Sequence, residues 1–354
     1  MNKKSVLVLF CFFLGFCFMV DAQSITSPFN NKALKNDSLK NGVSFIVTGH
    51  LHGASSNISG FPASTLLANI DAINGLNADF LISLGDLFLD VNDYYVLNYQ
   101  KSFFDKLSIP LFNSVGNHDL SGNLYEGYFG KTYFSFVYND NLFIYLDTEK
   151  NDGSIKGEQM DLFNNAISKA QQNININNIF ISSHRPVWAE NNPRYSAFFK
   201  DNTQTQFGSN NFETAVLPQL KELSDKSIYW FSGSMGGATP VSFFYDKQAG
   251  SNITFINTAI RDLKRDAILE VRVQANNEVI FKTVSLTGES LLDLADYNIE
   301  FWNNNLKSNV APFNYRLIPY LTLQMIKHNY FWIGIFSGVI ITFLLVMLKK
   351  RFRS

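Results

Sequence analysis

Between residues 44 and 285 the chain alternates short apolar runs with stretches of helical spacing, and several of the apolar runs end in glycine beside histidine or aspartate. This alternation limits the fold more than any other feature. The runs SFIVT (44–48), FLIS (80–83), PLFNS (110–114), NIFISS (178–183) and IYWFSG (228–233) read as buried strands. Helical spacing falls between them, at 64–74, 93–107, 157–172 and 218–223. Two runs, 132–138 and 142–147, flank Asn139-Asp140-Asn141 and read as a hairpin. From 241 onward the pattern is mostly β: VSFFYD, ITFINTAI, ILEVRVQ and VIFKTVS. Strands alternating with helices imply an α/β domain.

The polar residues gather at the ends of these strands. The chain has five histidines. His50 and His52 lie in TGHLHG, His118 in GNHD and His184 in SSHRP, each just after an expected strand, and Asp86 follows another in SLGD. The fifth, His328, stands beside an apolar C-terminal run and reads as interfacial. Ligands of α/β sheets collect beyond the carboxyl ends of strands, and glycine there lets the backbone turn sharply. Each residue alone has an ordinary reading: a satisfied core histidine, a Gly-Asp turn, a helix cap at Asp86. Together, imidazole, carboxylate and amide oxygens at neighbouring strand ends suit a divalent metal.

This ordered set resembles the calcineurin-like metallophosphoesterase family. That family's pattern is Asp-x-His, Gly-Asp-x-x-Asp, Gly-Asn-His-Asp/Glu, His and Gly-His-x-His. Here GDLFLD starts at Gly85, GNHD at Gly116, and SSHRPVW surrounds His184. The hairpin segment FGKTYFSFVYNDNLFIYLDTE and the helix beginning GEQMDLF also look like the family's. The resemblance implies a four-layer αββα sandwich over residues 43–288. It implies one or two divalent ions (Mn, Fe or Zn) held by His50, His52, Asp86, Asn117 and His184. It further implies hydrolysis of a phosphomonoester or phosphodiester through a metal-activated hydroxide, with His118 as general acid and Asp119 orienting it. Three positions depart from the pattern. His50 stands where the family has Asp, Leu89 replaces the second Asp of the second block with Asp90 one position late, and Ser234 and Gly236 replace both imidazoles of the last block. These losses weaken metal binding and open an alternative: a catalytically degenerate module that binds or scaffolds on the same fold. Tyr195, Phe198 and Phe199, within 188–212, are candidates to stack on a base or sugar, or to pack the loop.

The two ends place this body. Lys3 and Lys4, an apolar run to Val20 and Val20-Asp21-Ala22 read as a signal peptide over residues 1–22; the competing reading is an uncleaved anchor. Residues 23–42 are polar and read as a linker, and 289–329 as a connector. Residues 330–348 carry no charge and are long enough to span a bilayer. Lys349, Lys350, Arg351 and Arg353 follow in a basic tail, 349–354, which puts the C-terminus in the cytoplasm. The sequence therefore reads as a single-pass protein with its domain outside the cytoplasm, although such an end also suits a processed sorting signal. Both cysteines, Cys11 and Cys17, fall in the leader, so the body has no disulfide, thiolate metal site or cysteine nucleophile. A net charge of −1 gives no pull toward nucleic acid.

Overall fold

The computed structural model describes residues 24–35, 42–199, 202, 210–236, 239–306, 317–327 and 329–351. The expected leader and the last three residues of the basic tail lie outside them.

Eleven strands form two sheets. They are β1 (Val43–Thr48), β2 (Phe80–Ser83), β3 (Leu111–Asn113), β4 (Phe134–Tyr138), β5 (Asn141–Tyr145), β6 (Asn178–Ser183), β7 (Ser227–Ser232), β8 (Phe243–Lys247), β9 (Ile253–Thr258), β10 (Ala267–Val273) and β11 (Val279–Ser285). The first sheet runs β11-β10-β1-β2-β3 and the second β4-β5-β6-β7-β9-β8. Within the first, β1, β2 and β3 are parallel; within the second, β5, β6, β7 and β9 are parallel. The β4–β5 hairpin turns on Asn139 and Asp140, both with positive φ (44° and 57°). Two positive φ values in succession suit a tight turn between twisted strands.

The central strands are apolar on both faces because both faces are covered. Phe45 and Val47 of β1 face the other sheet, whereas Ile46 faces the helices. Phe180 of β6 meets Phe45 at 5.0 Å between ring centres, whereas Ile179 and Ile181 face the outer layer. Helix Glu158–Gln172 covers the second sheet with Phe163, Ala166, Ile167 and Ala170 buried at spacings of three and four. Helices Ser64–Ala68, Ile70–Gly75, Asp93–Tyr99 and Tyr125–Phe129 cover the first sheet. The result is the αββα sandwich that the sequence implied.

Parts of two stretches read as a linker and a connector pack on the body. In the 23–42 segment Phe29 and Leu34 are buried, Ser27 Oγ donates to Leu111 O at 2.6 Å, and Phe29 stacks on Phe129. In the 289–329 segment Leu294, Tyr297 and Trp302 are buried, and Trp302 Nε1 donates to Phe243 O at 2.9 Å. Polar composition concealed these few apolar anchors. Beyond them, helix Asn329–Arg351 is long and apolar enough to cross a membrane, and none of its apolar window is buried in the domain.

If residues 24–35 were a mere tether, truncating Phe29 would leave stability unchanged. Because Phe29 is only 3% exposed and wedged among aromatic rings, Phe29→Ala should cost about 3 kcal/mol or more in chemical denaturation.

Candidate metal centre

The parallel strands of both sheets deliver their carboxyl ends to one edge, and the loops there carry the polar residues. Thr48 pairs with Ser83, and Ser83 with Asn113; Ser183 pairs with Ser232, and Ser232 with Asn257. The loops after β1, β2 and β3 therefore start level with one another, as do those after β6, β7 and β9. His50 N donates to Gly85 O at 3.0 Å, joining two loops of the first sheet, and Ile260 N donates to Gly49 O at 3.1 Å, joining a loop of the second sheet to the first.

Three glycines allow the approach. Gly85 has φ of 88°, and a Cβ there would press on His184 Nδ1, Ser114 O and Gly116 N. A Cβ on Gly116 would collide with the Asp86 side chain, and one on Gly233 with Leu84 O. His50 and Asp86 themselves sit in the left-handed region, with φ of 54° and 52°. Such backbone costs an L-residue about 1 kcal/mol or more, and it persists where the surroundings enforce it. Here it turns both side chains inward.

At the centre lies Asp86 Oδ2. His50 Nδ1 is 3.1 Å away, His184 Nε2 3.5 Å and His52 Nε2 3.8 Å, and all four side chains are buried. His52, Asp86 and His118 form a second group whose ligand atoms lie within 4.8 Å of one another. Asn117 is exposed on the loop one residue before His118. The structure thus gathers His50, His52, Asp86, His118 and His184 at one point.

Each imidazole has a defined role. His184 Nδ1 donates to Leu84 O at 2.8 Å, since a carbonyl can only accept. In the neutral ring, Nε2 is then a bare lone pair, buried without a hydrogen-bond partner and facing another acceptor, Asp86 Oδ2. His118 Nδ1 bonds to Leu89 O at 2.9 Å, again leaving Nε2 for the site. His52 Nδ1 is buried without a partner. With the ring neutral, two acceptors face each other across 3.5 Å, and a proton or a metal cation between them satisfies both. Donors at about 2.1 Å from a tetrahedral ion stand about 3.4 Å apart, close to the His184 and His52 distances from Asp86. The donor set fits a divalent metal.

Electrostatics agree. Burial, and then the Arg261 charge, hold His50 well below its ordinary pKa, so it stays neutral. Burial also lowers His52. Burial alone would raise Asp86; the surrounding imidazoles and their hydrogen bonds outweigh it and hold the carboxyl well below the usual range.

Asp119 does not orient His118. Its Oδ1 accepts from Phe88 N at 2.9 Å, and its Oδ2 from Gly116 N at 2.9 Å and Asn113 Nδ2 at 3.2 Å. Its side chain turns back beneath its own loop and braces it. Asp90 bonds Ser121 Oγ and Asn92 Nδ2 and takes no part in the cluster. At the last block, Ser234 Oγ accepts from Asn202 Nδ2, and Gly236 has open space where a Cβ would stand. Tyr195, Phe198 and Phe199 are buried against Trp188, Phe244 and Trp302, so they pack the core and are not free to stack on a ligand.

Sequence reasoning missed Arg261. It follows β9 as the imidazoles follow their own strands, and that position was the available signal. Its Nη2 lies 3.0 Å from His50 Nε2 and 2.7 Å from Met235 O.

Residues 59–232 match the model of the family described as calcineurin-like phosphoesterase. The chain carries a calcineurin-like phosphoesterase domain. A dimetal phosphatase from Danio rerio shares the phosphoesterase fold, with a TM-score of 0.50 at 12% identity, covering 72% of this chain and all of that one. GAP50, the anchor in the inner membrane complex of Plasmodium, aligns with a TM-score of 0.48 at 12% identity, covering 77% of this chain and 96% of that one. No curated protein matches the chain. Family and geometry together make this cluster a candidate metal site with donors drawn from both sheets.

The brace and the site residue of GNHD separate experimentally. Asp119→Ala strands two buried backbone N–H groups, each worth about 1–3 kcal/mol. It should lower unfolding free energy by about 2–5 kcal/mol, whereas half-buried His118→Ala should cost under about 1 kcal/mol. The Asp119 carboxyl is also pushed up to about 7, by burial first and then by Asp86. Between its ordinary pKa near 3.8 and about 7 the native chain keeps a proton that the unfolded chain has released. This group's contribution to stability in the metal-free chain therefore falls as pH rises through that window. Asp119→Asn should flatten the fall in pH-dependent melting.

Proposed function

We propose that the chain is a metal-dependent phosphoesterase, held to a membrane by helix Asn329–Arg351 with its domain outside the cytoplasm. The observation that carries this reading is the buried, unpartnered His184 Nε2 facing Asp86 Oδ2. A divalent ion bound there, Mn, Fe or Zn, would supply Lewis acidity and draw the pKa of water toward neutrality. Asp86, His52 and His184 would hold it, with Asn117 turned toward the phosphate oxygens.

His118 is the acid of this scheme. Its Nδ1 is fixed on Leu89 O, which aims Nε2 into the site, where it can give a proton to a leaving alkoxide. A phosphomonoester or phosphodiester is the substrate class. The outside placement rests on the basic residues after the apolar helix and on the leader-like N-terminus.

A second reading, a non-catalytic binding module on the same fold, is favoured by the absence of both last-block imidazoles at Ser234 and Gly236. One experiment separates the two. The full chain in detergent is loaded with Mn, Zn or Fe and assayed on p-nitrophenyl phosphate and bis-p-nitrophenyl phosphate. Turnover should vanish with EDTA. It should fall about 10²-fold or more in His118→Ala, and His184→Ala should lose bound metal. Metal bound with no turnover on either ester favours the binding module, and no bound metal removes the proposal.

A further inference from the structure

We propose that the Arg261 guanidinium is a fixed cation standing in for one of the two metal ions, so that the site takes a single divalent ion and grips a phosphomonoester dianion between that ion and Arg261. This rests on the phosphoesterase reading and deepens it.

Position comes first. Arg261 leaves β9, the parallel neighbour of β7. Its Nε and Nη2 both donate to Met235 O, at 3.3 and 2.7 Å. Met235 lies between Ser234 and Gly236, the two places where imidazoles are missing. The guanidinium thus reaches the gap that the lost ligands leave.

The second point is His50. A guanidinium can only donate, so His50 Nε2 accepts from Arg261 Nη2 at 3.0 Å. The ring proton is then on Nδ1, directed at Asp86 Oδ2 at 3.1 Å. Both nitrogens are committed, and neither offers a lone pair to an ion. Arg261 thereby removes His50 from the ligand set. An ion on the β1 side loses both His50 and the last-block imidazole. One ion, held by Asp86 and His184 with His52 at hand, is what remains.

The third point is charge. Arg261 is 9% exposed, and its guanidinium hydrogen-bonds to Met235 O, His50 Nε2 and Ser55 Oγ, with the Asp86 and Asp266 charges nearby but no carboxylate among these partners. A buried guanidinium bonded only to neutral acceptors is costly unless an anion completes it. Arg261, one divalent ion and Asp86 together carry a formal charge of about +2 while the bound water is neutral, which a phosphomonoester carrying about −1.5 to −2 near neutral pH balances. A phosphodiester, with a single charge, does not.

Access completes the argument. Nη1 touches exposed Ser55 Oγ at a long 3.4 Å, and space is open beside Gly236. Nη1 therefore has an N–H to turn to a phosphate oxygen at the mouth of the site, the pairing for which arginine is suited.

The test uses the full chain in detergent, with manganese and inorganic phosphate as probes. Metal content is counted by mass spectrometry, and phosphate affinity is measured by calorimetry on the manganese-loaded protein. We expect one manganese per chain in the wild type, in His50→Asn and in Arg261→Gln. Phosphate should bind at least tenfold more weakly to Arg261→Gln and recover partly in Arg261→Lys. Two manganese per wild-type chain, loss of metal in a folded His50→Asn, or unchanged phosphate affinity in Arg261→Gln would each overturn the proposal while leaving the phosphoesterase reading intact. If Arg261→Gln fails to melt cooperatively, Arg261→Lys carries the phosphate comparison, and the wild-type metal count needs no variant. A chain that binds no manganese defeats both readings.

Discussion

Leu84 O is the point on which the site depends. It belongs to the loop after β2, in the first sheet, yet it accepts the hydrogen bond from His184 Nδ1, at the end of β6 in the second. That one bond joins the two sheets, sets the His184 tautomer and aims the other nitrogen at Asp86. Gly233 makes it possible, because any side chain there would occupy the space of the Leu84 carbonyl. The aromatic layer around Phe45, Phe143, Phe180 and Phe231 fixes the spacing of the sheets below. Packing in the middle of the sandwich thus determines the geometry at its edge.

The same edge shows a candidate metal site that departs from the family pattern and is still closely packed. Replacing Asp by His at position 50 removes a carboxylate, and the loss of two imidazoles removes ligands. In the single-ion site proposed above, Arg261, entering from β9, supplies the charge of the missing ion. His50 and Arg261 make sense as a pair: the imidazole accepts from the guanidinium and donates to Asp86. The backbone at His50 and Asp86 is left-handed, and the loops turn both side chains inward.

Much of this was legible in the sequence, for physical reasons. Strands buried on both faces must be continuous apolar runs, and every expected strand was found. Successive Asn139 and Asp140 tolerate the positive φ of a tight turn, so the hairpin was visible. Ligands cluster beyond parallel strand ends, so His50, His52, Asp86 and His184 could be listed before they were seen to meet. The rest depended on direction, which spacing does not encode. GNHD places Asp119 beside His118 in the chain, but its carboxylate turns back to the amides of Phe88 and Gly116. Arg261 was overlooked because arginine is no metal ligand, although its place after a strand was the same signal. Phe29 and Trp302 were lost in polar surroundings because one large buried ring is enough to dock a segment.

The most direct measurement is anomalous diffraction at the manganese edge from crystals of the protein grown with manganese. The account predicts an anomalous peak within bonding distance of Asp86 Oδ2 and His184 Nε2, with the Leu84–His184 hydrogen bond kept. A well-ordered cluster with no anomalous density there, however high the manganese concentration in the crystals, would contradict it.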